Sequence, residues 1–317
     1  MNYGLYGDIG KLGQISFGKE YNECLKQSYL QDNFVKNTLI VSYDKLKTDS
    51  KILTIGDSFS QMKICGYQNY LGHLLNDSII NIAINATQFT TSINFAISLL
   101  NNGIIDSSNC QILILEQVDR NLISNLCKID FDRQYKLPYN TEKQNNKNTN
   151  KNSQLYALCS WIRLQVNFKN PVVRFNLKRD YFSHNRYSHT LFIYQDDFMF
   201  KNVQPSDIEK AKENLILLNR KFSEKGIKMI FMIAADKYDV YRPFIMENSS
   251  LPIDITTDGL SNLHDICIIN TKPILQEIVR RGEKDVYMVN DTHWSYKAHS
   301  EVAQKLARDI DSLGLLK

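Results

Sequence analysis

The sequence predicts an α/β fold in which a mostly parallel, doubly wound sheet is covered by helices on both faces. Apolar runs of strand length alternate with amphipathic segments of helix length from Lys51 onwards. The strand runs are almost continuously Ile, Leu and Val, which is typical of parallel strands buried on both sides. There are too few such units for an eight-stranded barrel, so we expect a three-layer α/β/α, flavodoxin-like layout.

The predicted elements follow from apolar periodicity and from turn residues at their ends. Strands are predicted at 51–55, 79–84, 111–115, 227–234, 267–269 and 286–289. Helices are predicted at 60–75, 90–100, 206–225, 271–281 and 295–313.

The chain divides into a lead-in and one main domain. Residues 1–50 show weak periodicity and are expected to pack irregularly on the main domain, 51–317. The alternation breaks between about 127 and 205, an insertion rich in aromatic residues. Within it, 139–153 is nearly devoid of apolar residues and predicts a flexible loop. We expect the rest of the insertion to form a cap on the sheet edge and part of it to wall a substrate cleft.

Composition excludes several functional classes. The 317 residues are 43% hydrophobic and carry a formal net charge of only +4, with Lys and Arg scattered, so no nucleic-acid partner is expected. No apolar stretch approaches the ~18 residues that suggest a membrane span, and no signal peptide is visible, which predicts a cytoplasmic protein. No phosphate-binding glycine loop of the Walker or dinucleotide type is present.

The cysteines indicate neither a metal site nor a disulfide framework. The six of them form no CxxC pair and show no zinc-ligand spacing. Several lie within apolar runs, so we expect buried free thiols in a reducing compartment, no bound metal and no tightly bound cofactor.

A serine follows the first predicted strand. Gly56-Asp57-Ser58 lies between that strand and the next helix, at the carboxyl edge of the sheet, where open α/β folds bind ligands. A backbone N–H near a helix N-terminus stabilises negative charge. Ser58 could therefore act as a nucleophile while its own N–H helps to hold an oxyanion. The tripeptide alone is weak evidence, because it is common in turns and helix caps.

A histidine and an aspartate follow the last predicted strand. Asp291 and His293 are two residues apart, which puts both side chains on one side of an extended segment. The carboxylate could accept a hydrogen bond from imidazole Nδ1 and leave Nε2 free to take a proton from Ser58. An isolated Asp-x-His pair would more often cap a helix, but together with Gly-Asp-Ser it predicts a triad.

Two motifs carry a family resemblance: Gly56-Asp57-Ser58-Phe59-Ser60 and, far downstream, Asp291-Thr292-His293-Trp294-Ser295. They resemble the SGNH (GDSL-type) hydrolase superfamily. The Asp-x-His-Trp form is most similar to the SGNH-like domains of alginate O-acetyltransferases and related polysaccharide O-acetyltransferases. The resemblance spans about 51–310 and implies the SGNH fold, a Ser58–His293–Asp291 triad, and acyl transfer to or from a carbohydrate hydroxyl.

Two further segments fit this subgroup. Glu116 with Arg120 resembles a strand-end Glu followed by an Arg four residues later, and Lys237 with Tyr241 resembles a Lys-x-x-x-Tyr segment. Lys237 and Tyr241 are expected at the substrate cleft, with a structural ion pair as the alternative for the lysine. Trp294 is either a wall of the cleft against a sugar ring or part of the core.

The oxyanion site departs from the superfamily pattern. No glycine follows the second strand, so the N–H of Asn85 or Ala86 is the candidate second donor. The Gly-x-Asn-Asp block is absent, so Arg120 either substitutes electrostatically or pairs with Glu116. Serine also precedes the Asp-x-His-Trp motif here, as in ordinary SGNH proteins and unlike alginate O-acetyltransferases.

These features predict a carbohydrate O-acyltransferase, most simply an O-acetyltransferase, that modifies a bacterial surface polysaccharide such as a capsule, or its precursor. Acetyl-CoA is the candidate acyl donor. The first alternative is an esterase with the same triad. The second is a non-catalytic carbohydrate-binding protein of the same fold.

Overall fold

The computed structural model describes residues 7–9, 30, 35–37, 40–41, 46, 50–62, 65–84, 91–134, 136, 139–140, 172–261, 263 and 265–314. Most of the lead-in and the predicted flexible loop beyond residue 140 lie outside the described residues.

The strands are short and apolar. They are β1 (Val35–Asn37), β2 (Ile40–Val41), β3 (Ile52–Gly56), β4 (Ile79–Ala83), β5 (Ile112–Val118), β6 (Tyr139–Asn140), β7 (Val172–Asn176), β8 (Thr190–Tyr194), β9 (Lys228–Ala234) and β10 (Cys267–Asn270).

The helices connect these strands. They are α1 (Tyr67–Leu75), α2 (Ser92–Asn101), α3 (Leu122–Cys127), α4 (Pro205–Ser223), α5 (Lys237–Tyr241), α6 (Thr256–Leu260), α7 (Thr271–Arg280) and α8 (Tyr296–Ser312). Short 3-10 turns lie at Ser58–Gln61, Ile105–Ser107, Asp119–Asn121, Gln195–Asn202 and Arg242–Phe244.

The main sheet of the described chain has the order β1-β4-β3-β5-β9-β10, and each pair of neighbours is parallel. Without the edge strand β1, this is the 2-1-3-4-5 order of a flavodoxin-like sheet. The strand order reverses between β3 and β5, so the segments that follow these two strands flank the crevice where such folds bind ligands. The predicted fold class is confirmed.

Helices cover both faces of the sheet. Successive residues of one strand point to opposite faces, and Ile112 and Ile114 of β5 pack in one core while Leu113 and Leu115 pack in the other. The first core contains side chains of α1, α7 and α8, and the second contains side chains of α2, α3 and α4. The fold therefore has three layers, as the sequence predicts.

Two predicted elements are wrong. The predicted strand 286–289 is a loop, held by an isolated antiparallel bridge between Tyr287 and Trp294. The predicted helix 60–75 is broken, because the 3-10 turn ends at Gln61 and α1 begins only at Tyr67. Cys65, between them, has a φ of 61°, a left-handed conformation that an α-helix cannot contain.

The described part of the aromatic insertion includes an antiparallel hairpin, β7–β8. Phe182, Leu191 and Phe192 are fully buried in the same core as Trp294 of the C-terminal motif. Leu177 pairs with Ile245, which ties the hairpin to the segment after β9. This part of the insertion therefore shares the core that lies under the C-terminal motif.

Of the described cysteines, Cys110, Cys127 and Cys267 are free thiols, whereas Cys65 is disulfide-bonded. The prediction of free thiols is therefore wrong for Cys65, because the spacing of cysteines in a sequence does not show which of them meet in space. Among the described helices, none is both long and apolar enough to cross a bilayer.

Candidate active site

The turn after β3 is fixed by the side chain of Asp57. Its Oδ1 accepts a hydrogen bond from the N–H of Phe59 at 3.1 Å, which caps the 3-10 turn that Ser58 begins. Its Oδ2 accepts from the N–H of Val118 at 3.0 Å, at the end of the neighbouring strand β5. Asp57 thus fixes the turn that contains Ser58 and joins the two strands that flank the crevice.

Gly56 is required by a close approach of β5. The buried carboxylate of Glu116 accepts hydrogen bonds from the N–H of Asp57 and from Ser60 Oγ, both at 2.9 Å. A Cβ at position 56 would lie closer than 3.0 Å to Glu116 Oε2 and to Ser60 Oγ. Burial, with the charge of Asp57, raises the pKa of Glu116 well above its usual range.

Asp291 and His293 form the predicted pair. His293 Nδ1 lies 2.5 Å from Asp291 Oδ1, which also accepts the backbone N–H of His293 at 3.0 Å. Burial opposes ionisation of Asp291, but the imidazole outweighs it and the pKa of Asp291 falls to about 2. Burial likewise lowers the pKa of His293, yet the carboxylates of Asp291 and Asp8 outweigh that effect and the pKa is raised overall.

Asp8, in the N-terminal segment, is a site residue that the sequence analysis missed. Its Oδ1 accepts from the N–H of Thr292 at 2.9 Å, and its Oδ2 accepts from the Thr292 hydroxyl at 2.6 Å. Its backbone N–H donates to Asp291 Oδ2 at 3.1 Å. Burial and the charge of Asp291 raise the pKa of Asp8 to about 6, although the side chain is still 35% exposed. A lone aspartate in a segment without periodicity gives no signal in a single sequence.

Lys237 holds the loop that carries Asp291. Its side chain is fully buried, and Nζ donates to the carbonyls of Met288, Val289 and Asp291 at 2.7, 3.1 and 3.0 Å. An ammonium has three protons, and all of them are directed at this loop. Lys237 therefore holds this loop in the core, and its predicted contact with substrate stays a prediction.

Tyr241 and Trp294 also belong to the core. Both side chains are fully buried. Trp294 Nε1 donates to Tyr287 Oη at 3.0 Å, and the Tyr241 ring packs against Phe182 at 5.2 Å. Both rings lie in the core of the structure, which for Trp294 is the second of the two predicted alternatives. A contact of either ring with substrate stays a prediction.

Arg120 pairs with two aspartates instead of Glu116. Its guanidinium contacts Asp236 and lies 3.6 Å from Asp197, and its backbone N–H donates to Asp236 at 2.8 Å. The predicted ion pair between Arg120 and Glu116 is therefore wrong, because Arg120 pairs with Asp236, which follows β9, and not with Glu116 of β5. A role of Arg120 towards an oxyanion stays a prediction. Asn85, the other predicted donor, lies outside the described residues.

Ser58 begins the turn whose next residue, Phe59, packs against the imidazole. The ring of Phe59, its direct neighbour, packs at 5.0 Å from the ring of His293 and at 4.9 Å from that of Trp294. His293 Nε2 is buried and has no hydrogen-bond partner among the described residues. Ser58 itself is partly exposed. Hydrogen bonds between catalytic groups often close only when substrate binds, so this geometry is compatible with a triad.

Within the described residues, two groups of side chains have the composition of a metal centre. Asp8, Asp291 and His293 form the first, and Asp119, Asp239 and Asp254 form the second. In the first group, Asp291 and His293 already satisfy each other, and Asp8 is bonded to Thr292. The hydrogen bonds within the first group therefore account for its geometry.

Comparison with protein families finds a match in the C-terminal part of the chain. The family model described as "SGNH hydrolase-like domain, acetyltransferase AlgX" matches residues 191–316. This confirms, for that part of the chain, the resemblance that the two motifs predict. The matched segment contains Asp291, His293 and Lys237, whereas Ser58 lies before it.

Comparison with solved structures finds an acetyl xylan esterase (Est2A) from the rumen bacterium Butyrivibrio proteoclasticus, with a TM-score of 0.35 and 11% sequence identity. The likeness covers 85% of this chain and 65% of the esterase, and it is too distant to indicate a function. The chain therefore spans less than two thirds of that esterase. A comparison with curated proteins found no match.

Proposed function

We propose that this protein is an acyltransferase that moves an acetyl group to a carbohydrate hydroxyl through an acyl-enzyme on Ser58. The observation that carries the proposal is the Asp291–His293 pair next to the turn of Ser58. His293 Nε2 is buried and, among the described residues, has no hydrogen-bond partner. The match of residues 191–316 to an acetyltransferase-type family model supports the choice of acetyl transfer.

The first half of the reaction loads the enzyme. Ser58 Oγ attacks the acetyl carbonyl of the donor while its proton passes to His293 Nε2. Asp291 stabilises the imidazolium that forms and fixes Nδ1–H towards itself. The tetrahedral intermediate collapses, the leaving group takes the proton from Nε2, and the acetyl group stays as an ester on Ser58.

The second half transfers the group. The acceptor hydroxyl gives its proton to Nε2 and attacks the acetyl ester, and the proton then returns to Ser58 Oγ. The Ser58 N–H, with Arg120 or Asn85 as the further donor, would hold the oxyanion in both halves. One such donor typically contributes about 2.7–4 kcal/mol to lowering the barrier.

An esterase with the same residues differs only in the acceptor, which is then water. The protein should therefore be given a chromogenic acetyl ester, or acetyl-CoA, with and without candidate oligosaccharides. Acetylated sugar that depends on Ser58 supports the transferase. Turnover that depends on Ser58 but leaves the sugar unmodified supports the esterase.

The variants are Ser58→Ala, His293→Ala and, as a matched control, Ser223→Ala, an exposed serine at the end of α4. We expect the first two to lose at least about 10³-fold in kcat and the control to keep the wild-type rate. Wild-type protein with no activity on any ester or sugar pair, or activity that survives Ser58→Ala, would contradict the proposal.

A further inference from the structure

A second cluster of buried carboxylates lies at the same edge of the sheet. Asp119, Asp239 and Asp254 are exposed by only 3%, 3% and 2%. One carboxylate oxygen from each lies within 4.8 Å of those from the other two. None of the three takes part in the chemistry proposed for Ser58.

The topology of the sheet brings the three residues together. Asp119 directly follows β5, and Asp239 lies in α5, which follows the neighbouring strand β9. Asp254 comes from the loop before α6, and its Oδ1 is held by the N–H and the hydroxyl of Thr256, both at 2.7 Å. The carboxyl ends of two adjacent strands and one anchored loop thus fix the cluster.

Asp119 has no partner for either of its carboxylate oxygens. Both atoms are buried, and neither has a hydrogen bond within the described part of the chain. Buried polar groups nearly always have a hydrogen-bond partner, so a carboxylate with none, directed at two other carboxylates, requires an explanation.

The nearest cations form no ion pair with these carboxylates among the described residues, although the charge of Lys272 acts on Asp119 and Asp239. Arg120, the next residue, contacts Asp236 and Asp197. Lys272 directs its ammonium to the main-chain oxygen of Asp254 at 2.9 Å. Across the described ranges, no Lys or Arg makes an ion pair with any of the three carboxylates.

Three like charges in one buried cluster repel one another strongly. Burial and the neighbouring carboxylates raise the pKa of Asp119 and of Asp239 well above the usual range. Such a group must either take up protons or be neutralised by a bound cation, and a cation would also satisfy the oxygens of Asp119.

We propose that Asp119, Asp239 and Asp254 bind a hard divalent cation, with calcium favoured over magnesium. Carboxylate oxygens without nitrogen or sulfur are the ligand set of hard ions. Calcium tolerates a flexible cage of carboxylates at about 2.3–2.6 Å, so its ligand oxygens can be up to about 5 Å apart. Magnesium needs near-ideal octahedral geometry with oxygens at about 2.0–2.1 Å, which a fixed cage of three carboxylates suits less well.

A cation could reach the cluster from a neighbouring cavity, and its binding would affect the loop of Asp291. A surface cavity of about 300 Å³ is lined by Asp119, Arg120 and Thr256. Bound there, the ion would join the ends of β5 and β9. It would thereby fix Arg120 and α5, whose Lys237 holds the loop of Asp291.

The first experiment uses the wild-type protein. It is stripped with EDTA, desalted and titrated calorimetrically with CaCl₂ and separately with MgCl₂, and the bound ions are counted by native mass spectrometry. We expect one calcium per chain and, at roughly 100 times Kd, a rise in Tm of about 5 °C or more. Absence of binding by both ions would overturn the proposal.

The second experiment changes the ligands. Asp119→Asn keeps the shape of the side chain and removes one repelling charge. We expect it to melt at the same temperature as wild type or higher without metal, but lower than wild type with calcium, and to bind calcium at least about 10-fold more weakly. A merely structural role of Asp119 would not reverse the order of the two melting temperatures.

Asp239→Asn provides an independent ligand change should Asp119→Asn fail to fold. Asp311→Asn, an exposed carboxylate of α8, is the matched control and should bind calcium as wild type does. Calcium binding of wild-type strength in a folded Asp119→Asn or Asp239→Asn variant would overturn the site.

Discussion

The carboxylate of Asp8 lies 3.9 Å from Nδ1 of His293, on an imidazole that is already hydrogen-bonded to Asp291 at 2.5 Å. The histidine is thus bounded by two carboxylates from opposite ends of the chain. Asp291 accepts the hydrogen bond and sets the tautomer, while Asp8 acts through its charge and holds Thr292 between them. Gly7 allows this approach, because a Cβ there would lie closer than 3.0 Å to Asp291.

Asp8→Asn should shift the pH profile of the enzyme. The charge of Asp8 raises the pKa of His293, and the histidine must be neutral to accept a proton, so activity is lost as the pH falls below that pKa. Removing the charge lowers the pKa of His293, and we expect the acid limb of kcat/KM to move to lower pH.

The measurement is a profile of kcat/KM against pH for Asp8→Asn, with Asp196→Asn, an exposed aspartate, as control. Since the pKa of Asp8 is about 6, its charge acts above that pH, so the difference from wild type should appear on the acid limb above about pH 6 and vanish where His293 is neutral in both proteins. An acid limb that stays in place, or moves to higher pH, would show that Asp8 does not act on His293 through its charge.

Lys237→Met should destabilise the protein. The substitution preserves much of the side-chain volume but leaves three loop carbonyls without their buried donor. We expect a loss of about 2–4 kcal/mol in the free energy of unfolding, measured by urea denaturation. The control, Lys225→Met, removes an exposed ion pair with Asp106 and should change stability by less than about 1 kcal/mol. Equal effects of the two substitutions would contradict the role given to Lys237.

Gly56→Ala should be far more harmful than an alanine at a surface glycine. Its methyl group would overlap Glu116 and Ser60, which are packed and hydrogen-bonded to each other. We expect a loss of about 2–4 kcal/mol. Gly226→Ala, at a φ of +73° with open space around it, should lose only about 1–2 kcal/mol. A Gly56→Ala protein as stable as Gly226→Ala would mean that the approach of Glu116 is looser than described.

The pairing of Cys65 can be tested by counting thiols. The chain has six cysteines, and an intramolecular disulfide removes two of them, so the denatured, unreduced protein should present four reactive thiols. After reduction it should present six. Six thiols before reduction would show that Cys65 is free under the conditions of purification.

The main sheet and the Asp291–His293 pair could be predicted from the sequence, because both depend on local patterns. Five predicted apolar runs are the strands β3, β4, β5, β9 and β10. Most of the predicted strand ends lie within one or two residues of the observed ends. Two residues separated by one in an extended loop can meet without any help from the rest of the fold.

What the sequence could not predict depends on packing between distant segments. The run at 286–289 is as apolar as a strand, but its backbone bonds to Trp294, Lys237 and Ser295 leave no edge for a ladder. Lys237 and Tyr241 were expected at the cleft because they follow the predicted strand 227–234 at the edge that carries Ser58. Trp294 was expected either at the cleft or in the core. In the fold their side chains are buried and bond to or pack against residues far away in the sequence, and such tertiary contacts cannot be read from a single sequence.

The central claim is that Ser58 carries the acyl group, and mass spectrometry of its peptides tests it most directly. The protein is mixed with an activated acetyl ester, quenched in acid within one turnover, digested and mapped. We predict a mass increase of one acetyl group on the peptide that contains Ser58 in the wild type and in Ser223→Ala, and none in Ser58→Ala. An acetyl group found on another residue, or found equally in Ser58→Ala, would contradict the account.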